Sequence, residues 1–313
     1  MYRNTVRTVL ATTVALSALV GCAASTREVG QPSTVTASAT PVAESPIPVV
    51  TSTNVYGDLV SRVGGDRVAV TSFISDPGQD PHSYEANPRN QLAISGARLV
   101  VENGGGYDDF MDTMLKAAPA GERTVLNVVN LSGHTAPAGG DLNEHVWYDF
   151  PTVDILLTRL ADALATLDPA HADNFRANAA ATDAAVRILE QREDALRAKV
   201  AGQPVAITEP VPLYLLTACG LTNATPAEFS EAIEESTDVP VAVLQQTLDL
   251  FREHRVRVLV YNAQTSGPQT EQVRDASLRN GIPVVPVTET LPDGMSFIAW
   301  MSHNLDAVES ALS

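Results

Sequence analysis

Four short stretches of the chain carry the residue types that hold metal ions. They are DPHSYE at 80–85, EHVWYD at 144–149, EP at 209–210 and TETLP at 288–292, with His82, His145, Glu209 and Glu289 as the principal donors. Imidazole combined with carboxylate suits zinc, manganese or iron. Taken singly, each residue has a plainer reading: a loop histidine is more often solvated, and a glutamate just after a strand more often begins a helix. Spacing alone leaves both readings open. What joins the four is their common level in the chain, since each lies in a loop that follows an expected strand. A zinc-dependent secreted hydrolase is the competing class. It needs three ligands, an open position for water and a general base. The chain has no H-E-x-x-H and no G-x-S-x-G motif, and a fourth protein ligand would close the site, so no enzyme activity is expected. A receptor for an iron chelate, or an adhesin, is a further alternative. A chelate receptor needs an Arg- or aromatic-lined cleft, which 5% aromatic content disfavours.

The elements that must position these residues alternate between strand and helix. Val49 to Thr53 reads as a strand, with Asn54 as the cap of the helix behind it. Strands follow at Val68 to Phe73, Leu99 to Val101 and Thr124 to Val129, separated by helical patterns at Asn87 to Ala97 and Tyr107 to Ala118. A long helical stretch runs from Pro169 to Val200, opened by Asp168 as cap and Pro169 in the first turn. Alternation then resumes, with strands at Val205 to Thr208, Val256 to Tyr261 and Ile282 to Val287. Helices are expected at Leu213 to Ala218, Val239 to Glu253, Glu271 to Asn280 and Ser296 to Ala311. Alternating strands and helices imply parallel βαβ units. The expected fold is α/β: two lobes of (βα) repeats with parallel sheets, 47–168 and 203–313, joined by one long spine helix at 169–202. Ligands of such sheets bind beyond the carboxyl ends of the strands, which puts the site in the inter-lobe cleft.

The first residues belong to export rather than to fold. Arg3 and Arg7 precede an apolar run from Val9 to Val20, too short to span a bilayer comfortably. The run ends in Leu19-Val20-Gly21-Cys22, which resembles a bacterial lipobox. That resemblance implies a signal peptide over 1–21, cleavage before Cys22 and lipidation of its sulfur. Residues 22–46 are rich in Ser, Thr, Ala and Pro and read as a tether. Cys219 is then left without a partner cysteine and reads as a small core residue. Loss of Arg3 and Arg7 takes the formal charge from -17 to -19, with 18 basic residues against 37 acidic ones. Such a surface repels nucleic acid.

The same stretches carry a family resemblance. DPHSYEANP, ARLVVENGGGYDDFMDTML, EHVWYDFPTVDILLTRLADALATLDPAHADNF and VPVTETLPDG followed by WM resemble the metal-binding lipoproteins of bacterial ABC importers, the zinc and manganese receptors of the ZnuA, TroA and PsaA type. The match runs over nearly the whole mature chain. It implies that His82 and His145 are the two histidine ligands, that Glu209 stands where members have His or Glu, and that Glu289 stands where most have Asp. The cargo is then one divalent transition metal ion, Zn²⁺ or Mn²⁺. The partner is an ABC transporter permease, and the protein is a monomer on the outer face of the cytoplasmic membrane, held by its lipid. The loop before His145 lacks the His-rich run of many zinc-specific members, His134 being its one histidine. His171, His254 and His303 read as solvated or capping, and Trp147 and Trp300 as packing residues.

Overall fold

The computed structural model describes residues 45–76, 78–79, 82, 84–119, 121–138 and 140–313. The expected signal peptide, Cys22 and the expected tether up to residue 44 lie outside the described residues. No described helix is long and apolar enough to cross a membrane.

Two parallel four-stranded sheets organise the chain. The first contains β1 (Ile47–Thr53), β2 (Val68–Ile74), β3 (Leu99–Glu102) and β4 (Thr124–Asn127), in the order β2-β1-β3-β4. Its helices are α1 (Asn54–Gly64), α2 (Pro88–Gly96), α3 (Asp109–Ala117) and the short α4 (Val128–Ser132). Two long helices follow, α5 (Phe150–Leu167) and α6 (Ala172–Val200). The second sheet contains β5 (Pro204–Ile207), β6 (Thr222–Asn223), β7 (Leu259–Asn262) and β8 (Val284–Val287), in the order β6-β5-β7-β8. Around it lie α7 (Leu213–Ala218), α8 (Ala227–Glu234), α9 (Val241–Arg252), α10 (Pro268–Arg279) and α11 (Phe297–Ala311). The two sheets thus repeat one strand order, and in each the chain reverses direction beside the first strand. That reversal opens a crevice at the strand ends.

The α/β architecture is the one expected, and local differences have physical causes. Asn54 does not cap α1; Thr53 occupies the cap position without a side-chain bond. The Asn54 amide instead donates to Leu291 O and accepts from Leu291 N, both at 2.9 Å. The fourth strand stops at Asn127 because that side chain accepts from Asn130 N and starts α4. Asp168 makes no cap bond either. Its carboxylate holds Arg67 and His171, and a 3₁₀ turn at Pro169–His171 precedes the long helix.

The linking helix spans 29 residues, about 44 Å at ~1.5 Å per residue. Its buried positions are Phe175, Ala179, Thr182, Val186, Leu189, Glu193, Leu196 and Val200, alternating four and three apart. That spacing makes one apolar seam, and α5 packs along it. A single core cluster runs from Val49 of β1 through Leu156, Leu160, Val186 and Leu189 to Val205 and Val287 of the second sheet. Each such aliphatic side chain, taken out of water, contributes roughly 1.5–3 kcal/mol. Because this apolar mass is continuous, a wide hinge opening would expose it. Two smaller clusters fill the outer faces of the sheets. Cys219 is buried in the main core, and burial pushes its thiol up to about 12.

Candidate metal centre

The two sheets aim their strand ends at one place. After β3 the chain enters Asn103-Gly104-Gly105-Gly106, where all three glycines have positive φ. A side chain on Gly104 would collide with the Asn127 amide at 2.2 Å, so this turn requires glycine. Asp108 accepts from Asn103 N at 2.6 Å and Gly104 N at 2.8 Å and fixes the loop. Asn103 then donates to Glu144 O at 3.0 Å, which positions the segment that carries His145.

His145 is fully enclosed. Its Nδ1 lies 2.8 Å from Asn143 Oδ1, and Asn143 Nδ2 donates to Pro210 O at 3.2 Å. Asn143 Oδ1 is therefore the acceptor, and Nδ1 carries the proton. The Nε2 lone pair remains available for a cation. Burial, reinforced by His82, holds the His145 pKa well below the usual histidine range. A neutral imidazole is the form that ligates. Tyr107 stands edge-on to both histidines, 5.2 Å from the His82 ring and 5.7 Å from the His145 ring. Trp147 closes the other side of His145 at 5.2 Å.

The second sheet supplies carboxylates. Glu209, just after β5, and Glu289, just after β8, are both buried. Asn262, the last residue of β7, spans them: its Nδ2 donates to Glu209 Oε2 at 2.8 Å and to Glu289 Oε1 at 2.7 Å. Glu289 Oε2 also accepts from the Tyr107 hydroxyl at 3.2 Å.

Donor atoms of His82, His145 and Glu289 all lie within 4.8 Å of one another, close enough to share one ion. Glu209 is outside that trio in this conformation and joins it through Asn262. A second trio within the same limit is His82, Glu144 and Glu234. His134 belongs to neither: it pairs with Asp149 at 3.0 Å and stacks on Tyr214 at 4.8 Å. Trp147 and Trp300 are buried packing residues, as expected.

Three contributors escaped the sequence reading. Asn143, Asn262 and Glu234 lie in stretches without metal-type patterns. A signal existed for Glu234: Glu231, Glu234 and Glu235 crowd the C-terminal turn of α8, where the helix dipole disfavours carboxylates. Burial, then the nearby charges of Glu144, Glu209 and Glu289, pushes Glu234 up to about 9. Burial is also the main cause that raises Glu144 to about 7, helped by Glu289 and Asp141. A cation would relieve this crowding.

Known proteins share this layout. The model of the zinc-uptake complex component A family, described as periplasmic, matches residues 49–311. The iron-binding protein YfeA of Yersinia pestis is 25% identical over 230 residues, 72% of this chain and 72% of that protein. The manganese ABC transporter substrate-binding lipoprotein PsaA of Streptococcus pneumoniae is 23% identical over 284 residues, 85% of this chain and 88% of that one. The solved structure of the periplasmic zinc binding protein TroA from Treponema pallidum superposes with a TM-score of 0.71 at 20% identity, covering 86% of this chain and 99% of that chain. With the family model matched from the first strand to the last helix, the chain belongs to the zinc-uptake complex component A family.

Proposed function

We propose that this protein captures one divalent transition metal ion outside the cytoplasm with His82, His145, Glu209 and Glu289, and delivers it to an ABC permease. The observation that carries the reading is the convergence of His82, His145 and Glu289 within 4.8 Å at the facing ends of two sheets. The family is one of transport components that bind metal, not of enzymes, and the hydrolase alternative finds no support.

The chemistry is ligand exchange. Two neutral imidazoles and two carboxylates replace water around the ion and balance its charge. Glu209 reaches the ion when Asn262 releases one carboxylate to it, a local adjustment that leaves the shared core packed. The relatives are named for iron, manganese and zinc, and the donor set suits all three. Intrinsic affinity favours zinc over manganese at most such sites, so cellular supply weighs as much as geometry. The lipid on Cys22 is part of the same proposal, supported by the lipobox resemblance and by a relative named as a lipoprotein. It would keep the protein at the outer face of the cytoplasmic membrane.

The test is a calorimetric titration of the chelator-stripped protein with Zn²⁺ and with Mn²⁺ near neutral pH. One tight equivalent is expected, abolished in the His82→Ala/His145→Ala double variant. Absence of tight binding of both ions, or binding indifferent to that variant, would sink the reading.

A further inference from the structure

The trio of His82, Glu144 and Glu234 overlaps the proposed donor set only at His82. Glu144 precedes His145, and Glu234 ends α8 on the other half of the chain. Both line a cleft of ≈ 420 Å³, together with His82 and with Asp141, Glu231 and Glu235. The two carboxylates are poorly compensated for their burial. Glu234 Oε1 is buried without a hydrogen bond. The neutral imidazole of His145 lies near it, with Nδ1 at 3.6 Å, but that nitrogen already donates to Asn143. Glu144 is 8% exposed; its carboxyl accepts from its own backbone N–H, and His82 Nε2 stands 3.8 Å from Oε1. A buried carboxylate oxygen without a donor, as Glu234 Oε1 is, calls for a bound cation or a proton.

Exposure gives the arrangement a direction. The side chains of His82, Glu234 and Glu144 are 28%, 14% and 11% exposed, whereas His145 and Glu289 are 1% and 5% exposed. His82, shared by both trios, sits at the open end.

We propose that His82, Glu144 and Glu234 form an outer cation station, which takes the divalent ion at the cleft mouth and passes it to the inner donors through their shared ligand, His82. This rests on the reading of His82, His145 and Glu289 as the inner site. The acidic rim of Asp141, Glu231 and Glu235 concentrates cations at the mouth. The outer carboxylates remove part of the hydration shell, and His82 then exchanges their oxygens for His145 and Glu289. The ion therefore never crosses the cleft without ligands.

Two measurements on the full chain test this. In a His145→Ala/Glu289→Gln background, which dismantles the inner site, Zn²⁺ titration should show one equivalent bound at least ~100-fold more weakly than in wild type. Adding Glu144→Gln and Glu234→Gln should abolish it. No binding in the first background, or binding that survives the two further substitutions, overturns the outer station. In the otherwise wild-type chain, Glu144→Gln/Glu234→Gln should slow Zn²⁺ association at least ~10-fold at low salt, read by stopped-flow fluorescence of Trp147 beside His145. An unchanged association rate overturns the hand-over, and this arm holds even if the inner-site variant folds poorly. Failure of the inner reading would look different, because wild type itself would then lack a tight equivalent.

Discussion

The two sheets share a strand order, yet they bring opposite chemistry to the cleft. The first supplies the imidazoles of His82 and His145, walled by Tyr107 and Trp147, and burial favours the neutral form of His145. The second supplies the carboxylates of Glu209 and Glu289, tied to one amide, that of Asn262. One lobe thus contributes lone pairs without charge and the other contributes charge. The division lets each lobe solve one problem. Aromatic surface is a good wall for a neutral ring, and amide N–H groups are good holders for anions, but neither environment suits the other donor.

The sharpest way to break this comparison is to remove one donor from each side. His145→Ala should lower the affinity for Zn²⁺ by more than ~100-fold, since loss of an outer-shell partner alone costs 10–100-fold. Glu289→Gln should weaken Mn²⁺ more than Zn²⁺, because oxygen donors matter more to the harder ion. Calorimetry with both metals gives four losses. If the loss for each ion is the same whichever lobe is altered, the division of labour is wrong.

The next effects come from the residues that hold the donors. Asn143→Ala removes the acceptor that keeps the proton on His145 Nδ1, and Asn262→Ala removes the amide between the two glutamates. Each should cost about 10–100-fold in affinity. They should differ in the metal-free protein. Asn262→Ala leaves two buried carboxylates without their shared donor and should destabilise by about 1–3 kcal/mol, whereas Asn143→Ala should cost less. Thermal melting without and with metal separates the two effects.

How much of this was legible depended on the range over which each residue acts. The strands β1, β3 and β7 announce themselves because strands buried on both faces read as β-branched and aliphatic runs. His82 and His145 stood out because imidazole beside carboxylate, in a loop after a strand, is a chemical pattern in itself. Asn54 looked like a cap because its type and place fit one, but its amide serves Leu291, 237 positions away. Glu234 was missed with its helix: α8 has eight residues, and its buried Phe229, Ser230 and Ile233 are too few to display a period. Asn143 and Asn262 are ordinary polar loop and strand-end residues until the opposite lobe is in view. Local chemistry reads from sequence, whereas partners brought together by the two-lobe closure do not.

A smaller effect should come from the one residue that touches donors of both lobes. Tyr107 stands edge-on to the histidines and donates to Glu289. Tyr107→Phe keeps the wall and deletes only the hydrogen bond. Its cost should be about 0.5–1.5 kcal/mol, roughly threefold to tenfold in affinity. Tyr107→Ala should cost clearly more. If the two variants bind metal equally, the aromatic wall contributes nothing, and the contrast between the lobes loses half its basis.

The smallest effect lies outside both lobes, in the seam of α6. Glu193 occupies a position where the seven other buried residues of the helix are apolar or small, apart from Thr182. Burial, then the charges of Glu190, Asp149 and Asp194, pushes it up to about 8 from an ordinary value of 4.5. The native state therefore binds this proton more tightly than the unfolded chain. The penalty for burying the charge is full above about pH 8, and it is lifted as pH falls from 8 toward 4.5. Glu234, raised to about 9, adds a second contribution of the same sign in the metal-free protein. His145 acts in the opposite sense: its lowered pKa makes the native state the poorer proton binder, so stability is lost below about pH 6.5. The melting temperature of the metal-free protein should therefore rise by a few degrees between about pH 9 and pH 6.5 and fall again in more acid solution. Glu193→Gln should raise the melting temperature at pH 9 and flatten the alkaline limb while leaving the acid limb in place. Such a result would separate the linking helix from the lobes, because the residual alkaline slope then comes from Glu234 and, nearer neutrality, from Glu102 and Glu144, while His145, with the lowered carboxyl of Asp168, carries the acid limb.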